Sequence, residues 1–171
     1  MTPVTTPSRS AALSVAAGGF VAVLLYAVWA VTQILWWNPL AAASGPTYPQ
    51  IMADLAAAGE SLNVAAAVGI MAVGPVVALG LLAAAVFGWP PDPWPIAHGI
   101  LALLVLGPAA YFFASFGAGM ALADTYMISG ADASPLAMPL FAVSVAALLA
   151  WIAVPSWRAV ARRRGPAGRA G

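Results

Sequence analysis

The chain has 171 residues, 63% of them apolar and only 6% charged, with a formal net charge of +1 and no cysteine. An ordinary soluble domain carries roughly 25% charged residues, so this composition excludes a water-exposed globular surface. The lack of cysteine excludes a disulfide framework and a thiolate metal site, and leaves the redox compartment unread.

The few charges avoid the long apolar runs. Arg9 precedes the first, Asp54 and Glu60 follow it, Asp92 separates the second from the third, and Asp124 and Asp132 follow the third. This pattern predicts an all-α membrane protein: a four-transmembrane-helix bundle with kinked second and third helices and a short outer interfacial helix. Residues 1–10 read as a cytoplasmic N-terminal tail, 11–160 as the four-span membrane domain and 161–171 as a basic cytoplasmic tail.

The first run, residues 11–37, exceeds the roughly 20 residues that a hydrocarbon core requires, which sets its last turn in the headgroup layer. Arg9 ahead of it and the small residues 41–44 behind it also resemble a secretory signal. The run is far longer than the roughly 7–15 apolar residues of a signal core, which favours retention over cleavage. Asn38 reads as a cap or turn before Pro39. In the following loop Ile51, Leu55 and either Ala58 or Leu62 share a helical face, while Asp54 and Glu60 face water. A short helix at the membrane surface is expected there, its apolar face turned to the bundle, to lipid or to another protein.

The second run, residues 62–89, is rich in Ala and Gly and is expected to insert together with its neighbours. The third, 96–123, follows the stiff turn PPDPWP, which predicts that spans two and three form a tight antiparallel hairpin. Each holds a Gly-Pro pair near its middle: Gly74-Pro75 and Gly107-Pro108. Proline has no N–H, so the carbonyls of Met71 and Leu104 lose their usual donors and both helices can bend. Two matched bends would open a midplane pathway; with no charge near either, better packing is the favoured reading. Small residues recur at four-residue spacing as Gly80, Ala84 and Gly88 in span two and Ala110, Ala114 and Ala118 in span three. They predict a close-packing surface, within the bundle or toward a partner, with Phe112, Phe113 and Phe116 filling gaps or facing outward. The loop of residues 124–135 reads as a short solvated turn, its acids a solvated face. The fourth run, 136–157, is a plain apolar helix.

All six basic residues, Arg9, Arg158, Arg162, Arg163, Arg164 and Arg169, fall on one side of a four-span arrangement, while the opposite loops carry only acids. The positive-inside bias places both termini in the cytoplasm, most simply at the plasma membrane. The arginine tail lacks the aromatic platforms and folded reader of a nucleic-acid site, so no nucleic-acid partner is expected. Its attraction to anionic lipid follows from the topology. Trp36 and Trp37 mark one interface, and Trp89, Trp94 and Trp157 the other, whereas Trp29 and Trp151 sit deeper and read as packing residues.

Reactive chemistry is sparse. His98 and Asp124 lie on one predicted helix about 39 Å apart, too far to share a site. Thr32, Gln33, Tyr111 and Ser115 have no intramembrane base beside them, which disfavours an enzyme or an ion-coupled pump. Met52, Met120, Met127 and Met138 offer thioethers suited to Cu(I), but without His or Cys they read as packing residues. No cofactor or metal is expected. The sequence thus points to a non-catalytic structural or accessory subunit of a larger membrane complex, with a small transporter or channel component for an uncharged or apolar solute as the alternative. Its partners would be membrane lipids and other membrane protein subunits, or further copies of itself.

Overall fold

The computed structural model describes residues 9–89 and 92–163, without the side chains of 154–163. Several expectations lie outside the described residues: the tails at 1–8 and 164–171, Pro90 and Pro91 of the turn, and the interfacial position of the Trp157 ring. Every regular element among the described residues is helical. Four rods are long and apolar enough to cross a membrane: Arg9–Ala42, Val64–Val86, Pro93–Tyr126 and Pro135–Ala153.

The first rod starts as α1 (Arg9–Thr32), passes through a π-helical turn at Gln33–Trp37 and ends as α2 (Asn38–Ala42). Pro39 explains the turn. It cannot donate to the Leu35 carbonyl, and just before it the ladder widens so that the Asn38 N–H reaches the Gln33 carbonyl. Asn38 therefore continues the helix and does not end it, contrary to the expectation from sequence. The chain turns at Ser44 (φ 38°) and Gly45 (φ 133°) into α3 (Tyr48–Ala57). Gln50 Oε1 accepts from the Thr47 N–H at 2.7 Å and fixes the start of α3.

Helix α4 (Val64–Val86) begins where Asn63 adopts a left-handed conformation and its Oδ1 accepts from the Ala66 N–H at 3.2 Å. It runs through Pro75 as one helix. At its end the Trp89 N–H bonds the Ala84 carbonyl and the Gly88 N–H that of Ala85, a Schellman closure that requires the positive φ of Gly88 (83°). Asp92 caps α5 (Pro93–Val105) by accepting from the Trp94 N–H. The third rod is divided at Leu106, after which Gly107-Pro108 opens α6 (Gly107–Tyr126). A 3₁₀ turn at Pro135–Ala137 leads into α7 (Met138–Arg163).

Helix α1 is the hub. It packs most extensively on α4 and α5, α7 packs on α5, and spans two and three meet chiefly through α4 and α6. The packing expected between spans two and three is thus present, with span one added at its centre. The physical reason is close approach at single glycines. A Cβ on Gly19 would come within 2.6 Å of Ile100, one on Gly74 within 3.3 Å of Val23, and one on Gly107 within 2.5 Å of the Tyr26 ring. In a chain of near-uniform apolarity these steric fits, rather than hydrophobic energy, select the neighbours.

The same pairs set the heights. Gly19 meets Ile100 and Tyr26 meets Gly107 at equal steps, so the first and third rods run parallel. Val23 meets Gly74 and Arg9 Nη2 donates to the Val86 carbonyl at 2.5 Å, so α4 runs antiparallel. From Arg9 to Gln33 the rise is about 36 Å, enough for a hydrocarbon core of about 30 Å. The second and fourth rods end near the height of Gln33, where Trp29 Nε1 donates to the Leu136 carbonyl at 2.8 Å and Gln33 Nε2 to the Ser134 carbonyl at 3.3 Å. The first and third continue roughly 14 and 18 Å further. On this overhang lies α3, with Ile51 and Leu55 fully buried and Asp54 Oδ2 accepting from Tyr126 Oη at 2.8 Å. Its apolar face is therefore turned into the bundle.

Candidate functional site at the acidic end

The strongest concentration of polar groups lies where the overhang begins, at the end opposite Arg9. It is built by residues 127–134, which do not form a free surface turn. Met127 leaves α6 with a left-handed backbone (φ 54°), and the chain folds back along that helix. Gly119 permits this return: a Cβ there would stand 2.6 Å from the Gly130 carbonyl oxygen. Asn38 receives the returning strand, its Oδ1 accepting from the N–H groups of Ala133 at 2.7 Å and Ser134 at 3.2 Å. Asn38 thus ties the first rod to the start of the fourth, a role that its place beside Pro39 does not announce.

Folding back brings Asp132 to Tyr111, whose hydroxyl donates to Asp132 Oδ1 at 2.7 Å. Tyr111 thus has an acidic partner that the sequence does not announce, while Asp132 itself stays exposed, as expected of a solvated acid. Gln33 lies at the same level, completely buried, with Nε2 donating to Ser134 and Oε1 without a partner among the described residues. One helical turn or two toward Arg9, Tyr26 Oη and Ser144 Oγ share a hydrogen bond at 3.3 Å. These contacts link α1, α6, the returning segment and α7 by side-chain hydrogen bonds, a device that replaces hydrophobic burial where helices meet at a membrane boundary.

Beside this network a cleft of about 470 Å³ opens between α6 and α7. Phe112, Phe116, Met120 and Phe141 form its apolar walls, and Asn38, Tyr111, Ser115 and Asp132 supply its polar atoms. Two further cavities are apolar. One of about 150 Å³ is lined by Gly74, Pro75, Gly107 and Ala110 together with Tyr26. The other, about 360 Å³, lies between α1 and α4.

The remaining residues singled out from sequence are dispersed. Pro108 lines the large cleft, not the small cavity that Gly74, Pro75 and Gly107 share. Of the small-residue faces, Ala114 and Ala118 are buried in the bundle, Ala84 and Ala110 are half-buried, and Gly80 and Gly88 are exposed. No atom stands within 4 Å of a Cβ placed on Gly80. The face that α4 turns inward carries Ala67, Met71, Ala78 and Ala85 instead. His98 Nδ1 bonds the Trp94 carbonyl at 2.8 Å, one turn back on its own helix. Met120, Met127 and Met138 are exposed and Met52 half-buried. Among the described residues no group of three or more His, Asp or Glu gathers as a metal site would require. Thr32 Oγ1 donates to the Val28 carbonyl at 2.8 Å, and Ser115 Oγ to that of Phe112 at 3.3 Å.

Comparison with known proteins finds no matching family model, no matching curated protein and no matching solved structure.

Proposed function

We propose that this protein is a non-catalytic accessory subunit that packs laterally against another membrane protein, seated in the plasma membrane with both termini cytoplasmic. The observation that carries this reading is the bareness of the second span. Only 17% of its most apolar window is buried within the bundle. Its exposed face includes Gly69 and Gly80, each with open space where a side chain would stand. A helix surface with backbone accessible at such notches suits close approach by a second helix, since lipid gives apolar helices little reason to associate. The polar side chains of the acidic end make hydrogen bonds that hold the fold, and nothing there activates a nucleophile.

Purification in mild detergent followed by native mass measurement tests the role. Expected is a complex with a foreign subunit, lost on Gly80→Leu while insertion persists; a chain that is monomeric from native membranes would refute it. Reporters within residues 44–58 and after Gly171 test orientation, the first expected outside and the second inside. A specific observation favours a second reading as a transporter component: Gly74, Pro75 and Gly107 share one cavity beside Tyr26. On that reading Pro75→Ala with Pro108→Ala lowers solute flux into liposomes while the protein still folds.

A further inference from the structure

We infer that the cleft between α6 and α7 is a binding site for a lipophilic organic amine in its protonated, singly charged form. Three independent features of the site specify that chemistry.

The first is shape and lining. At about 470 Å³ the cleft falls within the size range of small-ligand pockets. Phe112, Phe116 and Phe141 border it, and Phe112 and Phe116 are each 57% exposed on the α6 face. Aromatic faces attract cations through their quadrupole, and they take up an apolar body equally well.

The second is the Asp132 carboxylate in the lining of the cleft. Tyr111 donates its hydroxyl proton to Asp132 Oδ1, and a single hydrogen bond from a neutral hydroxyl leaves the carboxylate's negative charge uncompensated. An ammonium group supplies N–H donors and a positive charge together. A neutral apolar solute supplies neither.

The third is the distribution of charge along the chain. There is no lysine, and every arginine lies at residue 9 or from 158 onward, so the acidic end has no base of its own to neutralise Asp132. The same fact excludes an anion, and it disfavours a phospholipid headgroup, whose phosphate would meet a carboxylate with no cation between them. A monocation with an apolar body fits where a zwitterionic lipid does not. The cleft opens near the height of Gln33, about 36 Å from Arg9 along the first rod. An amphiphilic amine would concentrate at that boundary of the hydrocarbon, with its ammonium toward water.

The test uses the full chain in phosphatidylcholine nanodiscs, which carry no net charge to adsorb the probe. The probe is radiolabelled 1-naphthylmethylamine, compared with 1-naphthylmethanol, its uncharged analogue. Saturable binding of the amine at least tenfold tighter than the alcohol is expected. Asp132→Asn should remove that preference, and Asp124→Asn, at an exposed acid near the end of α6, should leave it intact. Ser115→Phe, which fills the cleft and keeps the carboxylate, should abolish binding of both compounds. Equal affinity for amine and alcohol would overturn the assignment and leave only an apolar groove. Unchanged amine binding in Ser115→Phe would place the cation elsewhere. Should Asp132→Asn fail to insert, the wild-type comparison and Ser115→Phe decide the matter between them.

Discussion

The two ends of the bundle hold together by different physics. Toward Arg9, α1, α4 and α5 meet through Ala, Gly, Val and Ile, and what sets their spacing is the absence of a side chain at Gly19, Gly74 and Gly107. Toward the acidic end the same first rod is secured by Gln33 and Asn38, which bond backbone groups of residues 133 and 134. A steric fit tolerates no added volume but is indifferent to charge. A hydrogen-bonded junction tolerates modest changes of shape, and the cost of losing a partner there depends on whether the group left behind reaches water. Substitutions should therefore act differently at the two ends.

The largest effect is expected at Gly107. An alanine methyl would stand 2.5 Å from Tyr26 Cζ and 2.8 Å from Cε1, so either the ring or the helix must move. Gly107→Ala is expected to destabilise the protein by about 1–3 kcal/mol in detergent denaturation, as overpacking does elsewhere. Adding Tyr26→Ala should recover much of that loss, because it removes the atoms in conflict. Gly80→Ala, with open space around it, should be neutral or gain up to about 1 kcal/mol in helix propensity. Equal costs at positions 80 and 107 would break the claim that fit against α1 distinguishes them.

A smaller and local effect is expected at Tyr111. Tyr111→Phe removes the donor to Asp132 but leaves that exposed carboxylate to water, so global stability should fall by only about 1 kcal/mol. The readout that separates this from the packing variants is amide hydrogen exchange. Residues 127–134 should exchange faster while α1 and α5 are unchanged. Faster exchange throughout the bundle would mean that the two ends are not independent.

How much of this was legible in the sequence follows the same division. The four apolar runs were plain from hydropathy, since crossing a membrane needs only length and apolarity. Which rods touch was not legible, because a chain this rich in alanine is nearly equally apolar on all faces and shows no stripe. Gly88 looked like a packing residue by its spacing, whereas its positive φ makes it a helix terminator. The length of the first run hints at the overhang, and the contacts of Gly19 with Ile100 and of Tyr26 with Gly107 show that the third rod shares it. Asp132 is exposed, as its sequence context suggests, but nothing in DTYMISGADASP tells that the segment folds back to Tyr111. The close approach of Gly119 to Gly130 permits it, and glycine alone does not say which backbone will approach.

The smallest effect, and the one that sharpens the comparison most, is expected at Gln33. Its Nε2 makes one long bond of 3.3 Å to the Ser134 carbonyl, and its Oε1 makes none among the described residues. Gln33→Leu would lose that bond, worth roughly 0.5–1.5 kcal/mol, and would also remove a buried acceptor whose desolvation costs roughly 1–3 kcal/mol. The two terms oppose each other, so the variant should unfold within about 1 kcal/mol of wild type, with a slight gain as the sharper expectation. A loss of more than about 2 kcal/mol would show that Oε1 is satisfied by ordered water, which the leucine would expel. The acidic end would then be a wet junction throughout. A neutral result would make Gln33 a polar residue that the fold carries at a cost, left without a donor at the level where the second and fourth rods begin.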